Sequence, residues 1–304
     1  MTMLDPENRN SLKNRFLVFV IKLNKRKTIS QIKNVVNFFS EVFNKANWKT
    51  RVLSIEAIKG TLLIAERAST CKTVLIANLS NGNPQILKGK RFDPLNRLEN
   101  KKVELNNTIA WMILKSIIAI VGVLLLYLGK YKVNNIVLQI LGGIVLVVTL
   151  AISYFSQSKT HISKDAALFA LMEFALNYKG KEIALCLFNS IHEIEINEKI
   201  EECFPSSTVV LINQLSYEGE LTAFYTKSQE QKVLKLKSAD SFLKTKLIEN
   251  EYDSILYPIS KGIIITTICQ KDNKSVYPGS QEDYEVDMKL LSHVPELLKE
   301  LERN

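Results

Sequence analysis

Glu218 and Glu220 flank the start of an apolar run that ends at Tyr225, and Lys235 and Lys237 fall in the next extended-looking run, 232–237. Carboxylates on one strand can hold a divalent cation that activates water, while a lysine on the following strand steadies a scissile phosphate. That constellation would serve a metal-dependent nuclease. An acid two residues before the lysine would complete it, and Val233 or Lys235 stands there instead. Ordinary cross-strand ion pairing accounts for the same four residues.

Other catalytic patterns are missing. The chain has no GxxxxGK[ST] or GxGxxG loop to cradle a phosphate, and no GxSxG elbow. His161, His192 and His293 show no HExxH spacing, and Cys71, Cys186, Cys203 and Cys269 form no CxxC pair. The sequence therefore supplies no metal site and names no cofactor. The acids Glu193, Glu195, Glu198, Glu201 and Glu202, and Glu282, Asp283, Glu285 and Asp287, are dense enough to suit solvated helix faces.

The elements that would position these groups are arranged about residues 109–155. Residues 109–128 are apolar apart from Lys115 and Ser116, and residues 133–155 carry no charge. Each run has roughly the length that a bilayer core requires, so the pair is expected to form a transmembrane helical hairpin. The turn of Gly129, Lys130, Tyr131 and Lys132 is so short that both flanking parts fall on one side. Arg97, Lys101, Lys102, Lys159 and Lys164 flank the hairpin at the membrane surface, against Lys130 and Lys132 in the turn. The excess places both termini in the cytoplasm. The first apolar run, 16–21, is too short for a signal peptide, although the basic, acid-poor early chain is compatible with an organellar transit peptide.

The expected organisation is a basic N-terminal α+β part (1–107), the hairpin segment (108–156) and an acidic C-terminal α+β part (157–304). Net charge is +12 before the hairpin, +3 within it and −6 after it. A basic part tethered beside a bilayer points to anionic lipid as a partner, and opposite charges on co-facing parts leave room for a protein partner, a small-molecule ligand or a homo-oligomer. Nucleic acid is disfavoured, because Phe38, Phe39 and Phe43 lie on a periodic stripe suited to core burial rather than base stacking.

Before the hairpin the pattern reads as a short strand at 16–23, a helix carrying Ile32, Val35, Val36, Phe39 and Phe43, and an antiparallel meander at 51–58, 61–66, 73–79 and 85–87. After it come a helix at 165–178, strands at 182–188, 208–215, 220–225 and 232–237, a helix at 238–250, a strand pair at 254–259 and 262–269, and a last helix interrupted by Pro295. The order of elements over 164–302 resembles the layout of GAF-type sensory domains, which implies ligand sensing. The resulting expectation is a membrane-anchored, non-enzymatic binding or assembly module. Its alternatives are a ligand-sensing effector whose oligomerised hairpins perturb the bilayer and a membrane-tethered nuclease.

Overall fold

Four short runs, TVLIAN, IALCLFN, TVVLI and GIIIT, are apolar at nearly every position, the pattern of strands covered on both faces. The computed structural model describes residues 6–23, 26, 29–55, 60–79, 93–155, 162–189, 193–216, 219–271, 274–276 and 287–302. In it these runs become β3 (Thr73–Asn78), β4 (Ile183–Asn189), β5 (Thr208–Ile212) and the first half of β8 (Gly262–Lys271). The four lie parallel and adjacent. β1 (Lys49–Ile55) and β2 (Gly60–Glu66) add to the β4 side, while β6 (Glu220–Tyr225) and β7 (Lys244–Leu247) add beyond β8. The order is β1-β2-β4-β3-β5-β8-β6-β7, with β9 (Lys274–Val276) paired to β8.

Period-two alternation then divides the side chains into two cores. Leu63, Leu75, Leu185, Val210, Ile263 and Ile265 face one way, against α1 (Pro6–Leu23), α2 (Ile29–Lys45), α5 (Ile162–Asn177), α7 (Glu230–Ala239) and α8 (Met288–Lys299). Ile64, Ile76, Cys186, Val209, Leu211 and Ile264 face the other way, against α6 (Glu193–Cys203) and Ile248, Ile255, Leu256 and Ile259. The helix α5 is apolar all round and correspondingly enclosed, with Ala166 to Leu171 and Phe174 at most 2% exposed. Phe16 and Phe19 of α1 both meet Phe169 edge-on, with ring centroids 5.3 Å apart. Arg67, just after β2, closes the end of this layer: it donates to the Tyr178 and Ala46 carbonyls at 2.6 and 2.5 Å and lies 4.5 Å over the Trp48 ring.

The chain divides into two compact units. The first holds Met1–Asn81, Arg91–Leu98 and Thr160–Asn304, and therefore the sheet; the second holds Gly82–Lys90 and Glu99–Lys159. In the second, α3 (Arg97–Tyr127) runs on through a wide π turn at Leu128–Lys132 and is followed by α4 (Ile136–Phe155). The two helices pack antiparallel. A Cβ on Gly142 would come within 2.7 Å of the Leu126 nitrogen and 2.8 Å of the Gly122 carbonyl oxygen, so their contact requires glycine there.

This architecture corrects the expected fold class. The N-terminal and C-terminal parts are not two small α+β domains either side of a hairpin: β2 pairs with β4 and β3 lies between β4 and β5, so strands from both parts interleave in one mixed α/β sheet. The GAF-like layout fails for the same reason. The N-terminal meander is limited to β1 and β2, because β4 separates β2 from β3. The 16–23 run is the end of helix α1, the 232–237 run is helix α7, and residues 244–247 are a strand rather than part of a helix. Residues 254–259 form turns around the cis Tyr257–Pro258 bond, and the 85–87 strand lies outside the described residues.

The two-span topology is corrected as well. Among the described residues one helix, Arg97–Lys132, is long and apolar enough to cross a membrane, and Ile136–Thr149 is a shorter apolar helix. An integral protein with two spans and both termini cytoplasmic does not follow.

Candidate functional site

In the sheet the chain passes from β3 to β4 on one side and then returns over β3 to β5 on the other. A reversal of this kind opens a crevice outside the carboxyl ends of the strands, where open α/β sheets bind ligands. The residues at those ends are Asn189 of β4, Asn78 of β3, and Asn213, Gln214 and Ser216 after β5. Strands about 4.8 Å apart put β4, β3 and β5 within an edge on the order of 10 Å wide.

Local hydrogen bonds fix this edge. Leu79 N–H donates to the Phe188 carbonyl at 2.7 Å, extending the β3–β4 ladder, and Asn213 N–H donates to the Ile265 carbonyl at 3.0 Å. Gln214 then turns the chain with φ +39°, a region that side-chain-bearing residues seldom occupy. Its carbonyl accepts from Thr267 N–H at 3.1 Å, from Thr267 Oγ1 at 2.8 Å and from Thr266 Oγ1 at 3.2 Å, which holds the unusual conformation in place. Ser216 donates its N–H to Thr267 Oγ1 at 2.8 Å. Its own hydroxyl is buried, at 3% residue exposure, and has no hydrogen-bond partner among the described residues. An orphaned hydroxyl beside a left-handed turn at a switch point is the strongest site signal in the sheet.

The residues singled out by sequence do not assemble a nuclease. Glu220 opens β6 and its nearest ion-pair partner is Lys244, at 3.9 Å on β7. Lys235 and Lys237 are exposed on helix α7, not on a strand, so they cannot stand across a ladder from Glu220. Glu218 and Lys159 lie outside the described residues. Of the basic residues expected at a membrane surface, Lys101 and Lys102 are exposed on α3, and Lys164 is half-buried on α5. Arg97 is buried instead, donating to the Tyr252 carbonyl at 3.2 Å and lying 5.2 Å from the Tyr257 ring centre.

Two other polar clusters are paired internally. Lys232 donates to Thr73 Oγ1 at 2.9 Å and Thr208 Oγ1 at 3.2 Å, at the amino ends of β3 and β5, and burial pulls its ammonium below the usual lysine range. His293 and Asp240 pair at 2.6 Å, with Asp240 also accepting from Phe242 N–H at 3.0 Å. The amides Asn78, Asn189, Asn213 and Gln214 escaped the sequence reading because only the strand order brings them to one edge.

No protein-family model matches the chain, and no curated protein is similar to it in sequence. Solved structures do share its fold. The glutaminyl cyclase of Bacteroides thetaiotaomicron, bound to N-acetylhistamine, superposes over 96% of both chains with a TM-score of 0.51 and 8% identity. The LapA aminopeptidase of Legionella pneumophila covers 99% of this chain, with 75% of its own length, a TM-score of 0.50 and 7% identity. A Zn-dependent exopeptidase of Parabacteroides distasonis gives 0.49 at 9% identity. The chain thus has the α/β fold of the cyclase and the aminopeptidase.

That finding overturns the expectation of a membrane-anchored, non-enzymatic binding or assembly module. The sensory effector with oligomerised hairpins falls with it, since the GAF-like layout that implied sensing is replaced by this α/β fold, shared over 96% of the chain. Zinc takes thiolate, imidazole or carboxylate ligands, whereas among the described residues the carboxyl edge offers side-chain amides and hydroxyls. Among the described residues no group of three or more His, Cys, Asp or Glu could hold a metal ion.

Proposed function

We propose that the crevice at the carboxyl ends of β3, β4 and β5 recognises a peptide-like amide ligand without a metal ion. The observation that carries this reading is the donor and acceptor set: Asn78, Asn189, Asn213 and Gln214 at one edge, with the Ser216 hydroxyl, unpartnered among the described residues, beside them. A carboxamide offers both an acceptor and two donors, which complements the N–H and C=O groups of a peptide. The cyclase and aminopeptidase names of the fold neighbours make peptide termini the ligand class to test first.

Calorimetric titration of the full chain with a short peptide carrying N-terminal glutamine, once with EDTA and once with zinc chloride, tests the reading. Binding should appear in EDTA and be unaffected by zinc. Gln214→Ala and Ser216→Ala should each weaken it about five- to tenfold, the scale of one lost hydrogen bond. Binding that requires zinc, or that is indifferent to both substitutions, would overturn it.

A further inference from the structure

The amino ends of the central strands, opposite the crevice, hold a lysine in unusual surroundings. Thr73 opens β3 and Thr208 opens β5, and the two are partners in the parallel register. Neighbouring strands lie about 4.8 Å apart, so two hydroxyls stand side by side there. Both threonines are buried, at 1% and 7% exposure. Lys232, half-buried in the first turn of α7, reaches across them: its Nζ donates to Thr73 Oγ1 at 2.9 Å and to Thr208 Oγ1 at 3.2 Å. Thr208 gives its own hydroxyl proton to Gln229 Oε1 at 2.9 Å, which fixes its oxygen as an acceptor toward the lysine.

These contacts suit a neutral amine better than an ammonium. An ammonium carries three N–H donors, whereas among the described residues two oxygens accept from Nζ and no carboxylate pairs with it. An amine has two donors, which the two threonines satisfy, and its lone pair then points away from both. Burial, followed by the charge of Lys72, holds Nζ below the usual lysine range, and Glu182 opposes this only in part. Glu182 is itself paired with Lys72 at 2.7 Å. The first turn of a helix also disfavours a cation, because the unbonded N–H groups there carry partial positive charge. A desolvated lysine next to a second cation is a nucleophile.

We infer that Lys232, held between the Thr73 and Thr208 hydroxyls, takes up carbon dioxide as a carbamate. The Nζ lone pair attacks the carbon of CO2, the N–C bond forms, one C=O electron pair moves onto oxygen, and a proton leaves the nitrogen for water. The product is an anion, so Lys72 and the helix dipole that penalise the ammonium favour the carbamate. Its remaining N–H keeps Thr208 Oγ1 as acceptor. The Thr73 hydroxyl, which donates to no group among the described residues, can then turn its proton toward a carbamate oxygen. An imine would need an acid and a base to expel water, and acyl transfer would need a leaving group; uptake of CO2 needs neither. The site lies at the end of the strands remote from the crevice and does not depend on peptide binding there.

The test equilibrates the full chain with isotopically labelled bicarbonate in mildly alkaline buffer, traps carbamates by ethylation with triethyloxonium tetrafluoroborate, and locates them by peptide mass spectrometry. Lys232 should carry the labelled ethoxycarbonyl group at severalfold higher occupancy than Lys235 and Lys237, which are exposed on the same helix. Lys72→Gln, a change at a side chain 73% exposed, should lower that occupancy severalfold while circular dichroism stays that of the parent. Thr73→Val should lower it as well, by removing the hydroxyl that holds the nitrogen and meets the new oxygen. Trapping at Lys232 no higher than at Lys235 and Lys237 would overturn the inference. So would an occupancy at Lys232 that neither Lys72→Gln nor Thr73→Val changes, since the surroundings would then contribute nothing.

Discussion

Thr267 bridges the two residues that shape the carboxyl edge: its hydroxyl donates to the Gln214 carbonyl at 2.8 Å and accepts from the Ser216 N–H at 2.8 Å. Thr267 is 1% exposed, so water cannot take over either bond. Thr267→Val keeps the volume and removes both. The variant should lose about 1 to 3 kcal/mol in urea unfolding, the cost of the buried Ser216 N–H left unsatisfied while the Gln214 carbonyl keeps the Thr267 N–H and the Thr266 hydroxyl, and should weaken peptide binding more than distant substitutions of equal destabilisation. Thr267→Ser should retain most of both. A valine variant as stable as the parent would show that the Gln214 turn does not depend on this bridge.

The strands of the central sheet were legible because each is a short, almost uninterrupted apolar run, as in Ile263-Ile264-Ile265. Their neighbours were not. The β2–β4 and β3–β5 pairings join residues more than a hundred positions apart, and nothing local records that β4 comes between β2 and β3. Two helices were misread as strands. In 232–237 alternation dominates the local pattern, while the buried residues are Val233 and Leu236, three apart, and Leu234 is 49% exposed. In 16–23 the helical period becomes visible only when Leu12, Phe16, Phe19 and Leu23 are taken together. The edge amides were illegible for a related reason: a lone asparagine after an apolar run usually marks a turn, and only the sheet order brings three of them to one edge.

Gly219, which leads into β6, sits at φ +112°, and a Cβ there would lie 2.5 Å from the Ile268 carbonyl oxygen. Both the backbone conformation and the close approach to β8 exclude a side chain. Gly219→Ala should cost about 1 to 3 kcal/mol in chemical denaturation. A neutral result would mean that the start of β6 can move away from Ile268 without loss.

Arg26 and Asp165 form a buried ion pair, each side chain 1% exposed, that joins the segment between α1 and α2 to the first turn of α5. Burial pulls the Arg26 guanidinium below the usual arginine range, and Asp165 opposes that pull. Removing one partner leaves the other charge desolvated. Asp165→Ala should therefore lose about 3 to 5 kcal/mol, whereas the double change Arg26→Met with Asp165→Leu should recover most of it. Equal losses in the single and double variants would show that the pair contributes through shape rather than charge.

Glu173 makes the stability of the sheet unit depend on pH in one direction. Its carboxyl is buried on α5, with one oxygen unpartnered among the described residues; burial pushes its pKa up, and the ion pair with Arg15 at 3.2 Å only partly opposes this. Arg15 is 55% exposed, so solvent screens that pair. An acid whose pKa is raised on folding binds more protons in the native state than in the unfolded chain. Its contribution to stability is therefore neutral below the unfolded value near 4.5, falls as pH rises through the folded value, and stays unfavourable above it. Glu173→Gln removes the charge and keeps the shape. Urea unfolding should find the variant more stable than the parent by about 1 kcal/mol at pH 7, with the difference disappearing as pH drops below 4.5. A gain that persists unchanged at low pH would trace to packing, and a loss at pH 7 would mean that the Arg15 pair outweighs the burial of the carboxylate.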